Sequence, residues 1–245
     1  SGTLPNGKPV ILKANGQVEV VSGSGGPQSI PLGSEVVYYN SGASYDNKLS
    51  FDPNNSGKFV LVYKPAGTTY GTAIAGSISG SSITFGTAVV YETAAVDSES
   101  IAFDPSTSGK FVVTYMDEGN SNAGTAIVGT LSGTTVSFGT AVVFYANSRT
   151  MRVAFDPNTA GKLVIVYRNW GSGGKGAAIV GTVSGTSLSF GSQVIFATQN
   201  VNQLALSFDP STANKFVITY VDIDNSSYGK AIVGTISGTS LSFGS

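Results

Sequence analysis

The sequence predicts an all-β fold: a five-bladed β-propeller of four-stranded antiparallel blades, with its first blade abbreviated. Three observations predict it. One motif recurs along the 245 residues at spacings of 52, 52 and 53. Each repeat divides into four short runs rich in Val, Ile, Phe, Tyr and Thr, bounded by turn residues. No segment sustains the 3.6-residue apolar period of a helix. A repeat of this length is the signature of a propeller or a similar array, because one such unit cannot bury its apolar faces alone.

Unit one, about residues 1–39, reads as a worn copy. "LPNGKPVILKANGQVEVV" and "SIPLGSEVVYY" keep the Pro, the Gly-Lys and the Gly-Ser before a Val pair, and Asn15-Gly16 predicts a tight hairpin. Units two to five span about 40–91, 92–144, 145–196 and 197–245. They are marked by "FDPNNSGKFVLVY" from Phe51, "FDPSTSGKFVVTY" from Phe103, "FDPNTAGKLVIVY" from Phe155 and "FDPSTANKFVITY" from Phe208. In unit three, strand a ("SIAF") meets the turn "DPSTSGK", and strand b ("KFVVTY") follows. A polar loop leads to strand c ("TAIVGTL"), a "SGT" turn and strand d ("TVSFGTAVVF"). Strands apolar on both faces suit sheets packed between neighbours. The chain is thus read as one propeller domain over 1–245, a linear or open array of the same units being the alternative.

The stretch "YMDEGNSNAGTAIVGTLSGTTVSFGTAVVF" from Tyr115 resembles the tandem repeat of large virion-appendage and tail-fibre-like proteins of marine bacteriophages. Those use close variants of "DxGNSxxGTAIVGTVSGTSISFGTxVVF". The opening "LPNGKPVILKANGQVEVV" is similar to segments that precede such repeats. The resemblance implies a place on a virion or outside the cell, encounter with a host-surface molecule, and neighbouring virion domains as partners. It implies no catalytic residues.

Composition narrows the chemistry. Net charge is −1 and only 11% of residues are charged, which argues against a nucleic-acid partner. No apolar run is long enough for a membrane span. The chain has no Cys and no His, so thiolate catalysis, cysteine zinc sites and a His-based triad are excluded. No cofactor, metal or catalytic residue is assigned. "DIDNS" at Asp222–Ser226 opens like a calcium loop but lacks the Gly and the distal Glu that such a loop needs.

Comparing the units with one another locates the site. The a–b turns ("DPxxxGK") and c–d turns ("SGT") are nearly identical in the full units, whereas the b–c loops read "KPAGTTY", "MDEGNSNA", "RNWGSGGK" and "VDIDNSSY". The d–a connections also differ. In an antiparallel meander alternate turns share an end, so all variation falls at one end of the units, the pattern of recognition loops on a rigid frame. The aligned Asp52, Asp104, Asp156 and Asp209, with Lys58, Lys110, Lys162 and Lys215, sit at the constant end, where an Asx-turn or a cross-hairpin pair is expected. The recurrent Tyr63, Tyr115, Tyr167 and Tyr220 are expected to be structural.

At the variable end, unit three carries Glu92, Asp97, Glu99, Asp117 and Glu118. Unit four carries all three arginines, Arg149, Arg152 and Arg168, and the only tryptophan, Trp170. Opposite charge on adjacent units allows two readings. One is ion pairing between units. The other is a polarised cleft in which Arg binds an acidic group and Trp170 stacks a sugar. Candidate ligand-binding residues are Trp170, Arg168, Arg149, Arg152, Asp117, Glu118, Asp222, Asp224 and Tyr228; the loop residues Tyr45 and Tyr70, like Tyr228, either stack carbohydrate or pack at the rim. The function expected is a non-enzymatic recognition module of a phage appendage, binding a host-surface glycan or other ligand through the variable loops. A purely structural fibre spacer is the alternative, and a glycoside hydrolase using Asp97, Glu99 and Asp117 is a third reading.

Overall fold

The structure is a computed structural model describing residues 10–13, 17–20 and 33–244. The chain falls into two compact units, residues 1–33 and 34–245. In the first, β1 (Val10–Leu12) pairs antiparallel with β2 (Val18–Val20), and the Lys13 amide donates to the Gln17 carbonyl at 2.8 Å. Asn15-Gly16, the hairpin turn expected between them, lies outside the described residues.

Residues 34–244 contain four consecutive four-stranded antiparallel meanders and no α-helix. Unit two is built from β3 (Ser44–Phe51), β4 (Lys58–Pro65), β5 (Tyr70–Ser79) and β6 (Ser82–Phe85), with the start of β7 (Val89–Phe103) continuing the line of β6 along β5. The far half of β7 is strand a of unit three, which continues with β8 (Lys110–Asp117), β9 (Ala123–Ser132), β10 (Thr135–Phe138) and β11 (Val142–Tyr145). Unit four has β12 (Ser148–Phe155), β13 (Lys162–Asn169), β14 (Lys175–Ser184) and β15 (Ser187–Phe190), with the start of β16 (Val194–Phe208). The rest of β16, with β17 (Lys215–Asp222), β18 (Tyr228–Ser237) and β19 (Ser240–Phe243), makes unit five. Val36–Tyr39, assigned to unit one on sequence, belongs to the second compact unit, where Tyr38 and Tyr39 pack on Tyr63.

The sheets of units three and four are apolar on both faces because each is packed from both sides, whereas one face of unit five, at Val217 and Val233, is exposed. In β13, Leu163, Ile165 and Tyr167 pack towards unit three, while Val164 and Val166 pack towards unit five; all five are fully buried. The joint repeats. An aromatic that precedes each unit lies on that unit's strand-b Tyr: Tyr38 on Tyr63, Tyr91 on Tyr115, Phe144 on Tyr167 and Phe196 on Tyr220, with centroids 5.2, 5.3, 5.2 and 5.4 Å apart. Offset and tilted ring contacts of this kind add to the area they bury.

The constant end is fixed by its turns. Asp52, Asp104, Asp156 and Asp209 each accept the amide two residues on, at 2.8–2.9 Å, forming an Asx-turn at every a–b hairpin. The second carboxylate oxygen reaches across the joint: Asp52 Oδ2 accepts from the Gly109 amide and Asp156 Oδ2 from the Asn214 amide, both at 2.8 Å. The lysines do not pair with these aspartates. Lys58, Lys110 and Lys162 donate instead to Ser77, Thr130 and Thr182 on strand c. The turn also needs a left-handed residue, at φ 72, 71 and 66° for Gly57, Gly109 and Gly161. Asn214, the side chain that best tolerates that region, takes the place at φ 63° in unit five.

Candidate ligand-binding site at the variable end

Backbone hydrogen bonds join the b–c loops to the d–a connections, so both loop sets occupy one end. Ala66, Trp170 and Ile223 amides donate to the carbonyls of Ala43, Asn147 and Asn200, and Val96, Ser148 and Val201 amides to those of Thr69, Asn122 and Gly174. In every strand a of these units, a bulge precedes the regular ladder, with Asp46, Ser98, Thr150 or Gln203 at positive φ. Such bulges bend a strand and re-aim the next side chain.

In unit four the ladder ends in two successive cross-strand pairs, Ser148 with Asn169 and Arg149 with Arg168. A short 3-10 turn, Trp170–Ser172, follows directly. Trp170 is 44% exposed, with the Arg168 guanidinium carbon 4.2 Å and that of Arg149 5.3 Å from its ring centroid. Both are cation–π distances. Arg168 Nη2 and Nε donate to Asn200 Oδ1 at 2.6 and 3.1 Å, and the Asn200 amide is held in turn by Asp224 Oδ2 at 2.8 Å. Burial, and then the neighbouring Arg149, lower the Arg168 pKa from its ordinary value. Among the described residues no carboxylate forms an ion pair with Arg149, Arg152 or Arg168; the ion pairs found are Lys64–Asp46 and Lys230–Asp222. Pairing between the acids of unit three and the arginines of unit four, one of the two sequence readings, is therefore not formed.

The acids are engaged within their own surroundings. Glu92 accepts the Thr93 and Ala94 amides and the Tyr115 hydroxyl. Asp97 accepts the Ser98 amide, and Asp117 caps the turn Glu118–Asn120 through the Asn120 amide at 3.1 Å. Burial, and then Glu92, raise the Asp117 pKa. Glu118 is exposed. Glu99 is fully buried and accepts a hydrogen bond from the Tyr91 hydroxyl.

Other expected residues stand apart from this group. Arg152 donates to its neighbour's carbonyl at Met151 and lies opposite Val166. Asp222 is buried and paired with Lys230 at 2.6 Å, and Asp224 is occupied by Asn200, so the two aspartates of "DIDNS" do not converge on a common point. Tyr45 and Tyr228 are exposed. The sequence reading missed Asn200, Asn169 and Ser148. The first is the acceptor for Arg168, and the other two sit beside the arginine pair. Their signal was position alone, on either side of residues already singled out.

A second relation also escaped the sequence reading. Where the joint aromatic is Tyr, the residue after the bulge is polar and bonded to it: Tyr38 donates to Asn47 at 2.9 Å, and Tyr91 to Glu99. Where the aromatic is Phe, at 144 and 196, the matching residue is Met151 or Leu204, both buried. This matching explains Glu99 as the partner of a buried hydroxyl.

No protein-family model and no curated protein matches the sequence. Among solved structures the chain is similar to Saccharomyces cerevisiae Sqt1, a WD40-type β-propeller, with TM-score 0.53 and 11% identity over 79% of this chain and 45% of that one. It is also similar to Chaetomium thermophilum Sqt1 bound to the N-terminus of the ribosomal protein L10, with TM-score 0.46 and 9% identity over 71% of this chain and 44% of that one. The match thus spans less than half the length of either protein. The first likeness shows a propeller-like all-β fold.

Proposed function

We propose that the chain is a non-enzymatic recognition module of a phage appendage that binds a host-surface glycan through its variable end. The scaffold that goes with this reading is a propeller of five units, the first abbreviated. One observation carries it. Loops that differ from unit to unit are held by hydrogen bonds at a single end, and there they present a half-exposed tryptophan beside two arginines that no described carboxylate neutralises. Tryptophan and arginine dominate the energetics of binding surfaces, and both are costly to display without a partner. The catalytic alternative has little to work with. Of its three carboxylates, Asp97 and Asp117 hold backbone amides, and Glu99 is buried at a joint. A glycan array probed with wild type and Trp170→Ala tests the proposal. Retention of specific glycans by wild type and their loss in the variant is expected; equal binding by both removes Trp170 from the site, and binding by neither favours the spacer reading.

A further inference from the structure

Arg149 and Arg168 break a rule that the other units keep. The same cross-strand position holds Tyr45 with Lys64 in unit two, Asp97 with Met116 in unit three and Asn202 with Val221 in unit five. Only unit four places like charges directly opposite, an arrangement that destabilises a strand pair. Lys175 adds a third positive group, opposite Asn169 on the next strand. Around the arginines are polar atoms that are buried and without a hydrogen-bond partner among the described residues: Arg149 Nε, Ser148 Oγ, Asn147 Oδ1 and both side-chain amide atoms of Asn169. Ser148 and Asn169 are 0 and 1% exposed. Buried polar atoms are rarely left unpaired, and such exceptions mark places where function outweighs stability.

We infer that the Arg149–Arg168 pair, with Trp170 beside it, binds the anionic group of an acidic glycan: a uronate carboxylate or a sulfate ester. This rests on the reading that the variable end recognises glycan. A guanidinium presents a planar fork of donors suited to such oxyanions, and two forks share the charge that neither strand neutralises. Arg168 spends Nε and one donor of Nη2 on Asn200, which fixes its plane and leaves the rest of the fork free to turn to a ligand. An acidic sugar fits better than an acidic peptide, because the indole supplies an apolar surface next to the charge. Exposed Gly171, Ser172 and Gly173 leave room around it.

Trp170 is the only tryptophan, so its fluorescence reports on this site alone. The chain is titrated with tetragalacturonate, a sulfated galactan tetrasaccharide, maltotetraose and tetraglutamate at matched ionic strength. A saturable change with one or both acidic sugars is expected, and none with maltotetraose or tetraglutamate. Affinity should fall about tenfold or more in Arg149→Gln and in Arg168→Gln, fall less in Arg149→Lys, and weaken as salt rises from about 50 to about 500 mM. Circular dichroism of each variant establishes that it is folded. No response to either acidic sugar, an equal response to maltotetraose, or affinity unchanged in both Gln variants overturns the inference. An equal response to tetraglutamate overturns its glycan part. Calorimetric binding of an oligosaccharide that leaves the indole emission and both Gln variants unaffected overturns this site alone, and leaves the recognition reading standing.

Discussion

Burial raises the Glu99 pKa from 4.5 to about 7, partly opposed by the Tyr91 hydroxyl bonded to it. A carboxyl that keeps its proton when folded and sheds it when unfolded makes stability fall as pH rises between those two values. The total effect is on the order of 3 kcal/mol, fully felt above pH 7. Glu99→Met should therefore flatten the decline in urea-unfolding free energy between pH 4.5 and pH 8; an unchanged slope would mean that the carboxyl is not buried. The pairing of Tyr with a polar partner and Phe with an apolar one gives a second prediction at this scale. Tyr91→Phe leaves Glu99 without its donor and should cost about 1–3 kcal/mol. Tyr91→Phe with Glu99→Met reproduces the Phe144–Met151 pair of unit four and should recover most of the loss, measured as a double-mutant cycle. This matching was present in the sequence yet hidden in it. The d–a connections differ in length by a residue or two, so the partners fall at different spacings, and only the bulge at Asp46, Ser98, Thr150 or Gln203 brings them into register.

The a–b hairpin was the most legible element, because Asp-Pro and a left-handed Gly or Asn specify its turn through local chemistry alone. The bonds from Asp52 and Asp156 to the next unit were not legible, since nothing in one repeat says which atoms of its neighbour come within reach. The two contributions separate by mutation. Asp52→Ala and Asp156→Ala lose both the Asx-turn bond and the bond across the joint, and should each cost about 1–3 kcal/mol in chemical denaturation. Asp209→Ala loses only local bonds, to Ser211 and Thr212, and should cost less. Equal costs at all three positions would show that the joint gains nothing from the second oxygen. The variable loops follow the opposite logic. Their position was legible from the alternation of turns. Arg152, grouped with Arg149 and Arg168 on charge, turned out to bond Met151, because the bulge at Thr150 comes between Arg149 and Arg152.

Packing of unit upon unit makes the whole molecule. Val60, Val112 and Val164 face the following unit and are fully buried, whereas Val217 at the same position in unit five is 42% exposed, with Val233 beside it at 46%. Val164→Asp should consequently cost more than about 3 kcal/mol, while Val217→Asp should change thermal stability little. A severe loss at Val217 would mean that another surface covers this face in solution. With that frame carrying the stability, the opposite end is free to vary, and the division of labour between constant and variable ends is the central claim. Exchanging Arg168–Lys175 for the equal-length loop Met116–Ala123 of unit three tests it most directly, by following glycan retention and thermal unfolding of the same protein. Binding should be lost while the unfolding temperature stays the same or rises, since the exchange also removes one of the two opposed arginines. Binding that survives the exchange, or a chain that no longer folds, would contradict it.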